Sequence, residues 1–149
     1  MLALPFDAAK EVVTGLGDDL TGRIVVDITN PVDFTTFDSL VVAPGTSAAE
    51  EIAALTNASV VKAFNTTFAG TLVAGTVDGV PLDVFIAGDD EAAKASVSSF
   101  VTDAGLRPID VGPLRRAREL EGFQFVLMTL QANPAFDTFN WNTGLKVLV

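Results

Sequence analysis

Three short apolar segments, each ending in a polar stop and each followed by a stretch long enough for a helix, limit what this chain can fold into. In the first, Ile24-Val25-Val26-Asp27-Ile28, four β-branched residues surround one aspartate before Thr29-Asn30-Pro31 halts the run. That pattern reads as a strand buried on both faces. The second, Ser59-Val60-Val61-Lys62-Ala63, runs into Phe64-Asn65-Thr66-Thr67, and the third, Leu82-Asp83-Val84-Phe85-Ile86-Ala87, into Gly88-Asp89-Asp90. Strands alternating with helical lengths imply βαβ crossovers, hence an α/β fold with a parallel sheet and flanking helices. In such sheets ligands bind beyond the carboxyl ends of the strands, so Asn30, Pro31, Phe64, Asn65 and Thr66 fall on the expected functional edge.

The segments between the strands carry helix signals. Asp7 can cap a helix from Ala8 to about Leu16 whose apolar face is Val12, Val13 and Leu16, closed by Gly15 and Gly17. Ser47-Ala48-Ala49-Glu50 is a capping box opening a helix to about Leu55, with Ile52 and Leu55 toward the core. A short helix is expected over residues 68–74, and Asp78-Gly79 marks a hairpin turn. Asp89 or Asp90 starts a helix with Ala93, Val97, Phe100 and Val101 at helical spacing, ended by Gly105. After a last short strand at Arg107–Val111, a long C-terminal helix is expected from Leu114 to about Leu130. Its second half, Phe123, Phe125, Val126, Leu127, Met128 and Leu130, is apolar nearly all round and calls for burial in the core or against a second subunit. The expected division is a domain over residues 1–132 and an aromatic tail over 133–149, which packs on the domain or on a second copy. The segment from Val32 to Pro44 has no clear period, and a loop of that length in a compact domain is often functional.

Composition removes several chemistries. The 149 residues contain no cysteine, histidine or tyrosine, which excludes disulfides, thiolate nucleophiles and imidazole bases or ligands, and leaves Asp, Glu and Lys for proton chemistry. A net charge of −10 argues against nucleic acid or an anionic membrane as partner, because phosphate contact needs clustered Lys and Arg. The one basic cluster, Arg115, Arg116 and Arg118, reads as a solvated helix face with Glu119 and Glu121. The absence of a long apolar run or a basic leader makes a soluble, cytoplasmic protein the expectation.

Taken together, Ala3-Leu4-Pro5-Phe6-Asp7-Ala8-Ala9, Val25-Val26-Asp27-Ile28-Thr29-Asn30-Pro31, Val60-Val61-Lys62-Ala63-Phe64-Asn65-Thr66, Ala87-Gly88-Asp89-Asp90 and Asp110-Val111-Gly112-Pro113-Leu114 resemble the NADP-dependent oxidoreductase family that acts on the deazaflavin coenzyme. That family is itself similar to the cytosolic reductase domain of the six-transmembrane metalloreductases. The block Val61–Thr66 is the most specific, and the resemblance runs over about residues 2 to 121. It implies a Rossmann-like fold and cofactor-binding roles around a nicotinamide for Pro5, Asn30, Pro31, Phe64, Asn65 and Thr66. The implied chemistry is hydride transfer between stacked cofactors, NADP and a deazaflavin, in which the protein orients and no acid or base is essential.

The resemblance aligns residue 2 with the family's fourth strand, so a truncated Rossmann-like sheet, equivalent to strands four onward, is expected. These 149 residues hold no Gly-x-Gly-x-x-Gly at a strand-to-helix turn. In the usual strand order the segment Leu2–Leu4 would then lie at an open edge, and a homodimer that covers it is expected. Two other readings stand beside the reductase. One is a redox-neutral isomerase or cyclase, or a binder of an apolar small molecule, on a cofactor-free version of the fold; the other is a non-catalytic assembly module. Asp27 is either a buried carboxylate bonded to backbone amides or an acid tuned for a site, and Lys62 either a strand-end ion pair or a base. Phe34, Phe37, Phe136, Phe139 and Trp141 either line a ligand pocket or cover an interface.

Overall fold

The computed structural model describes residues 1–148. Its main sheet has four strands in the order β1 (Ile24–Asp27), β2 (Ser59–Lys62), β5 (Asp83–Gly88) and β6 (Arg107–Gly112). A two-stranded hairpin, β3 (Thr76–Val77) and β4 (Val80–Pro81), turns at Asp78-Gly79, both with positive φ. This is the conformation that hairpin turns of this kind require. Helices α1 (Phe6–Leu16), α2 (Ala48–Ala53), α3 (Ala69–Ala74), α4 (Glu91–Asp103) and α5 (Ala117–Ala132) complete the Rossmann-like α/β layers.

The sheet is mixed rather than all parallel. β1 pairs β2 and β5 pairs β6 in parallel, but β2 meets β5 antiparallel, through Val61 opposite Gly88 and Lys62 opposite Ala87. The reason lies in the connection. The six residues of α3 rise only about 9 Å, and the hairpin that follows turns the chain back. β5 therefore starts past the end of β2 and runs back toward it, so that its last residues Ala87 and Gly88 meet Lys62 and Val61, and Asp90 lies beside Ser59 at the start of β2, with Ser59 Oγ donating to its Oδ2 at 2.6 Å.

Local signals explain most element ends. Ser47 Oγ accepts from the Glu50 amide at 3.2 Å and donates to the Glu50 carboxylate at 2.8 Å. Asp90 Oδ1 caps α4 by accepting from the amides of Ala92 and Ala93. α1 differs from the sequence reading. Pro5 is its cap and Asp7 lies inside the first turn, paired with Lys10, because proline's fixed φ suits a helix start. Its inner face is Phe6, Ala9 and Val13, while Val12 and Leu16 face outward. Leu55 and Phe100 are likewise exposed.

Two cores sit on the sheet. One gathers Phe6, Ala9, Val13, Val25, Ala48, Ile52, Val60 and Leu114 under α1 and α2. The other gathers Val61, Leu82, Val84, Ile86, Val97 and Val101 under α4. Leu2 joins the outer side of β1 by a single bridge, its amide donating to the Val26 carbonyl at 2.8 Å. The expected burial of the second half of α5 is not found within the chain. Only Ala117, Leu120, Glu121 and Gln124 of that helix are buried, and Phe123 and Val126 face outward.

The tail runs back over α3 and the hairpin. The Gly70 amide donates to the Trp141 carbonyl at 2.8 Å, and Thr71 Oγ1 to the Thr143 carbonyl at 2.6 Å. A side chain at Gly70 would collide with Asn142, which explains a glycine there. The tail is then anchored on Asp83, which accepts from Arg107 at two atoms, from Lys146 Nζ and from the Val147 amide. Among the described residues no helix is long and apolar enough to cross a membrane.

Candidate functional site

The carboxyl ends of β1 and β2 lie side by side, and the polar residues that stop them meet. Asn30 Nδ2 donates to the Asn65 carbonyl at 2.9 Å, and Asn65 Nδ2 donates to Asn30 Oδ1 at 3.0 Å. Phe64 makes this possible. It takes a positive φ of 62°, a left-handed conformation that costs a non-glycine residue about 1–2 kcal/mol. Its ring packs edge-on to Phe100 while the next residue bonds Asn30.

Three cavities open around this edge. One of about 350 Å³ is lined by Leu4, Pro5, Thr29, Asn30, Phe34 and Met128, among others. A smaller one of about 250 Å³ continues along Pro5, Asn30, Pro31, Val32 and Val41. The third, about 460 Å³, lies behind Ile28 and is lined by the apolar side chains of Phe64, Leu72, Phe100 and Leu106 among others. Ile28 is a wall of both larger cavities. Of the residues singled out from the sequence, Pro5, Asn30 and Pro31 thus line the polar side and Phe64 the apolar side. Asn65 supports Asn30 from beneath, and Thr66 is buried without lining any of the three.

Beneath the edge lies a charged cluster closed to solvent. Lys62, fully buried at the end of β2, donates to Asp27 Oδ2 at 2.9 Å, to Glu121 Oε1 at 2.8 Å and to the Thr29 carbonyl. All three ammonium protons are therefore used. Asp27 Oδ1 accepts from the Thr29 amide at 2.9 Å, and Glu121 also accepts from the amides of Ala48 and Ala49. Burial pushes the Glu121 carboxyl above the ordinary range against the pull of Lys62, and the nearby Asp27 charge pushes the same way. Asp27 is thus a carboxylate bonded to backbone and Lys62, and Lys62 is a fully satisfied ion partner.

Sequence reasoning set Glu121 on a solvated face with the arginines, and the structure corrects this. Arg118 does pair with Glu50 and Arg116 with Glu119 at the surface, but Glu121 points inward from the stripe Ala117, Leu120, Glu121, Gln124. That spacing was the available signal. Thr29 and Met128 were also missed. Thr29 shares a face with Asp27 by strand alternation, and Met128 lies two turns beyond Glu121.

Two buried polar atoms here have no protein partner, Thr29 Oγ1 and Asn65 Oδ1. Unpaired buried polar atoms are rare and costly. Thr29 and Asn30 line the 350 Å³ cavity with Asn65 behind them, and a polar wall of this kind suits a small planar ligand that both donates and accepts. A nicotinamide carboxamide is such a group. Among the described residues no group of acidic side chains is placed to hold a metal ion.

No protein-family model matches the sequence. The chain is 40% identical over 114 residues to metalloreductase STEAP3 of Rattus norvegicus, covering 76% of this chain and 22% of that protein. It is 30% identical over 135 residues to the F420-dependent NADP reductase of Methanocaldococcus jannaschii, covering 87% of this chain and 60% of that enzyme. Among solved structures, one from Arthrobacter sp. FB24 assigned as an F420-dependent NADP reductase superposes with a TM-score of 0.78 at 33% identity, covering 93% of this chain and 64% of that one. A hypothetical protein from Sinorhizobium meliloti superposes with a TM-score of 0.69 at 35% identity, covering 76% of this chain and 55% of that one. The chain spans about a fifth to three fifths of the length of these curated relatives. Its fold is Rossmann-like, and its homologues include an F420-dependent NADP reductase and a metalloreductase.

Proposed function

We propose that this chain forms the nicotinamide-facing part of an NADP-linked oxidoreductase, with a deazaflavin or a similar flat molecule as hydride partner. The observation that carries this reading is Asn30, held from behind by Asn65, in the wall of the 350 Å³ cavity with Thr29 next to it in the same wall. The likeness to NADP reductases supports it. When bound, the nicotinamide supplies the hydride chemistry. Thr29 and Asn30, the latter held in place by Asn65, fix the carboxamide and so the face of the ring presented. Pro5 and Pro31 give rigid backbone walls, and Phe34 and Met128 close the apolar side against water. Such a site works by orientation and needs no acid or base.

Calorimetric titration of the chain with NADPH tests the reading. Binding in the micromolar range, weakened at least tenfold by Asn30→Ala, is expected; no binding at millimolar cofactor would sink it.

A second reading has its own observation, the 460 Å³ apolar cavity behind Ile28. On it the chain binds an apolar small molecule without a dinucleotide, as a carrier or a redox-neutral enzyme. Retention of a hydrophobic fluorescent probe by this cavity, lost in Phe64→Ala, with no NADPH binding would favour it. In either case the exposed Leu4, Phe34, Phe123 and Val126 support a homodimer, and a stable monomer in light scattering at micromolar concentration would rule that out.

A further inference from the structure

The buried cluster beneath the site has more charge than a structural ion pair needs. Two carboxylates share one ammonium, and all three side chains are 0–1% exposed. A strand end does not require this, since burying charges is costly and apolar residues of like volume commonly serve as well. What the cluster reaches is more informative. Thr29 is held at both its backbone groups, its amide by Asp27 and its carbonyl by Lys62. Glu121 ties the same ammonium to α5, the helix that carries Met128 into the 350 Å³ cavity two turns later, and to the first amides of α2. The residue gripped from both sides is one that lines that cavity, and its own buried hydroxyl has no protein partner.

We infer that Asp27, Lys62 and Glu121 are positioning residues, which set Thr29 and Asn30 against the α5 wall of the cavity and so fix the geometry of whatever is bound there. In its use of NADPH as probe, the inference rests on the function proposed above. None of the three touches the ligand. Glu121 is the informative position, because a glutamine has one acceptor oxygen where the carboxylate serves an ammonium and two amides. Its amide nitrogen would meet a donor whichever way it turns. The ammonium, drawn to Asp27 alone, would shift its grip on the Thr29 carbonyl.

The test is Glu121→Gln, read by amide NMR and by NADPH titration, with Asp90→Ala as a control that destabilises the chain from the opposite end of the sheet. The expected result is displacement of the Thr29 and Asn30 amide signals and of the Asn65 side-chain signals, with a five- to tenfold loss of NADPH affinity. Asp90→Ala should lower the melting temperature but leave those signals and that affinity unchanged. If Glu121→Gln moves only the Ala48 and Ala49 signals, the cluster is a helix anchor and the inference falls. If the unmodified chain binds no NADPH, the function proposed above fails, while the shifts at Thr29 and Asn30 still decide this inference. Should Glu121→Gln fail to fold, Lys62→Arg, which keeps the charge and moves the donors, takes its place with the same readouts.

Discussion

Asn30 and Asn65, thirty-five positions apart in the chain, hold each other by two reciprocal hydrogen bonds across the ends of adjacent parallel strands. Asn65→Ala removes the side-chain donor to Asn30 Oδ1 and keeps the main-chain carbonyl that accepts from Asn30 Nδ2. The expected cost is about 1–3 kcal/mol of stability from the Asn30 acceptor left unpaired, measured by urea unfolding. The same variant should weaken NADPH by at least tenfold in calorimetry; unchanged affinity would separate the pair from ligand binding.

Asp83 gives a pH dependence with a defined sign. Burial pushes its carboxyl up, but the Arg107 and Lys146 side chains and the Val147 amide outweigh this and hold it at about 2. A carboxylate depressed on folding stabilises above its unfolded pKa and loses that contribution as pH falls through the folded value. Stability should therefore drop by about 2 kcal/mol between pH 4 and pH 2, and Asp83→Asn should flatten that part of the profile. A variant whose acid unfolding matches the parent would show that the tail anchor contributes nothing.

Lys62→Met keeps most of the length of the side chain and leaves two buried carboxylates without a cation. The expected loss is about 3–5 kcal/mol, and the double variant Lys62→Met with Glu121→Leu should recover part of it. A denaturant midpoint equal to the parent's would contradict the charge geometry described here.

Ser47→Ala removes the cap of α2, whose first amides also meet Glu121. About 1 kcal/mol of stability should be lost, and Ser47→Asp should not restore it, since a carboxylate there would face the Glu50 carboxylate to which the serine hydroxyl donates. Thermal unfolding of the two variants distinguishes a cap from a bystander.

Much of the fold was legible because it is written in local chemistry. The capping serine, the Asp78-Gly79 turn, the closing Gly105 and the strand stops at Thr29-Asn30-Pro31 act within a few residues of where they stand. The α/β class and the positions of the strands followed from them. The antiparallel seam between β2 and β5 did not, because strand direction depends on how far α3 and its hairpin carry the chain, which no periodicity encodes. The inward turn of Glu121 was hidden by charged neighbours that do face water, and Leu55 and Phe100 look like core residues until the packing shows the face already filled. At the site, Asn30 and Asn65 could be set on one edge from strand polarity alone. Their pairing depends on a left-handed Phe64, a conformation its residue type disfavours.

Two carboxylates on one ammonium also make this protein a proton acceptor when it folds. With Glu121 raised above its ordinary value by burial, the folded chain binds protons more readily at that carboxyl than the unfolded chain does. This contribution to stability is full below the ordinary glutamate pKa and is lost as pH rises through the folded value. It runs opposite to that of Asp83. In weakly acidic buffer the apparent enthalpy of unfolding should therefore vary with the ionisation heat of the buffer, and in Glu121→Gln that dependence should shrink. A chain without histidine thereby couples its core to solution pH through a glutamate that water does not reach.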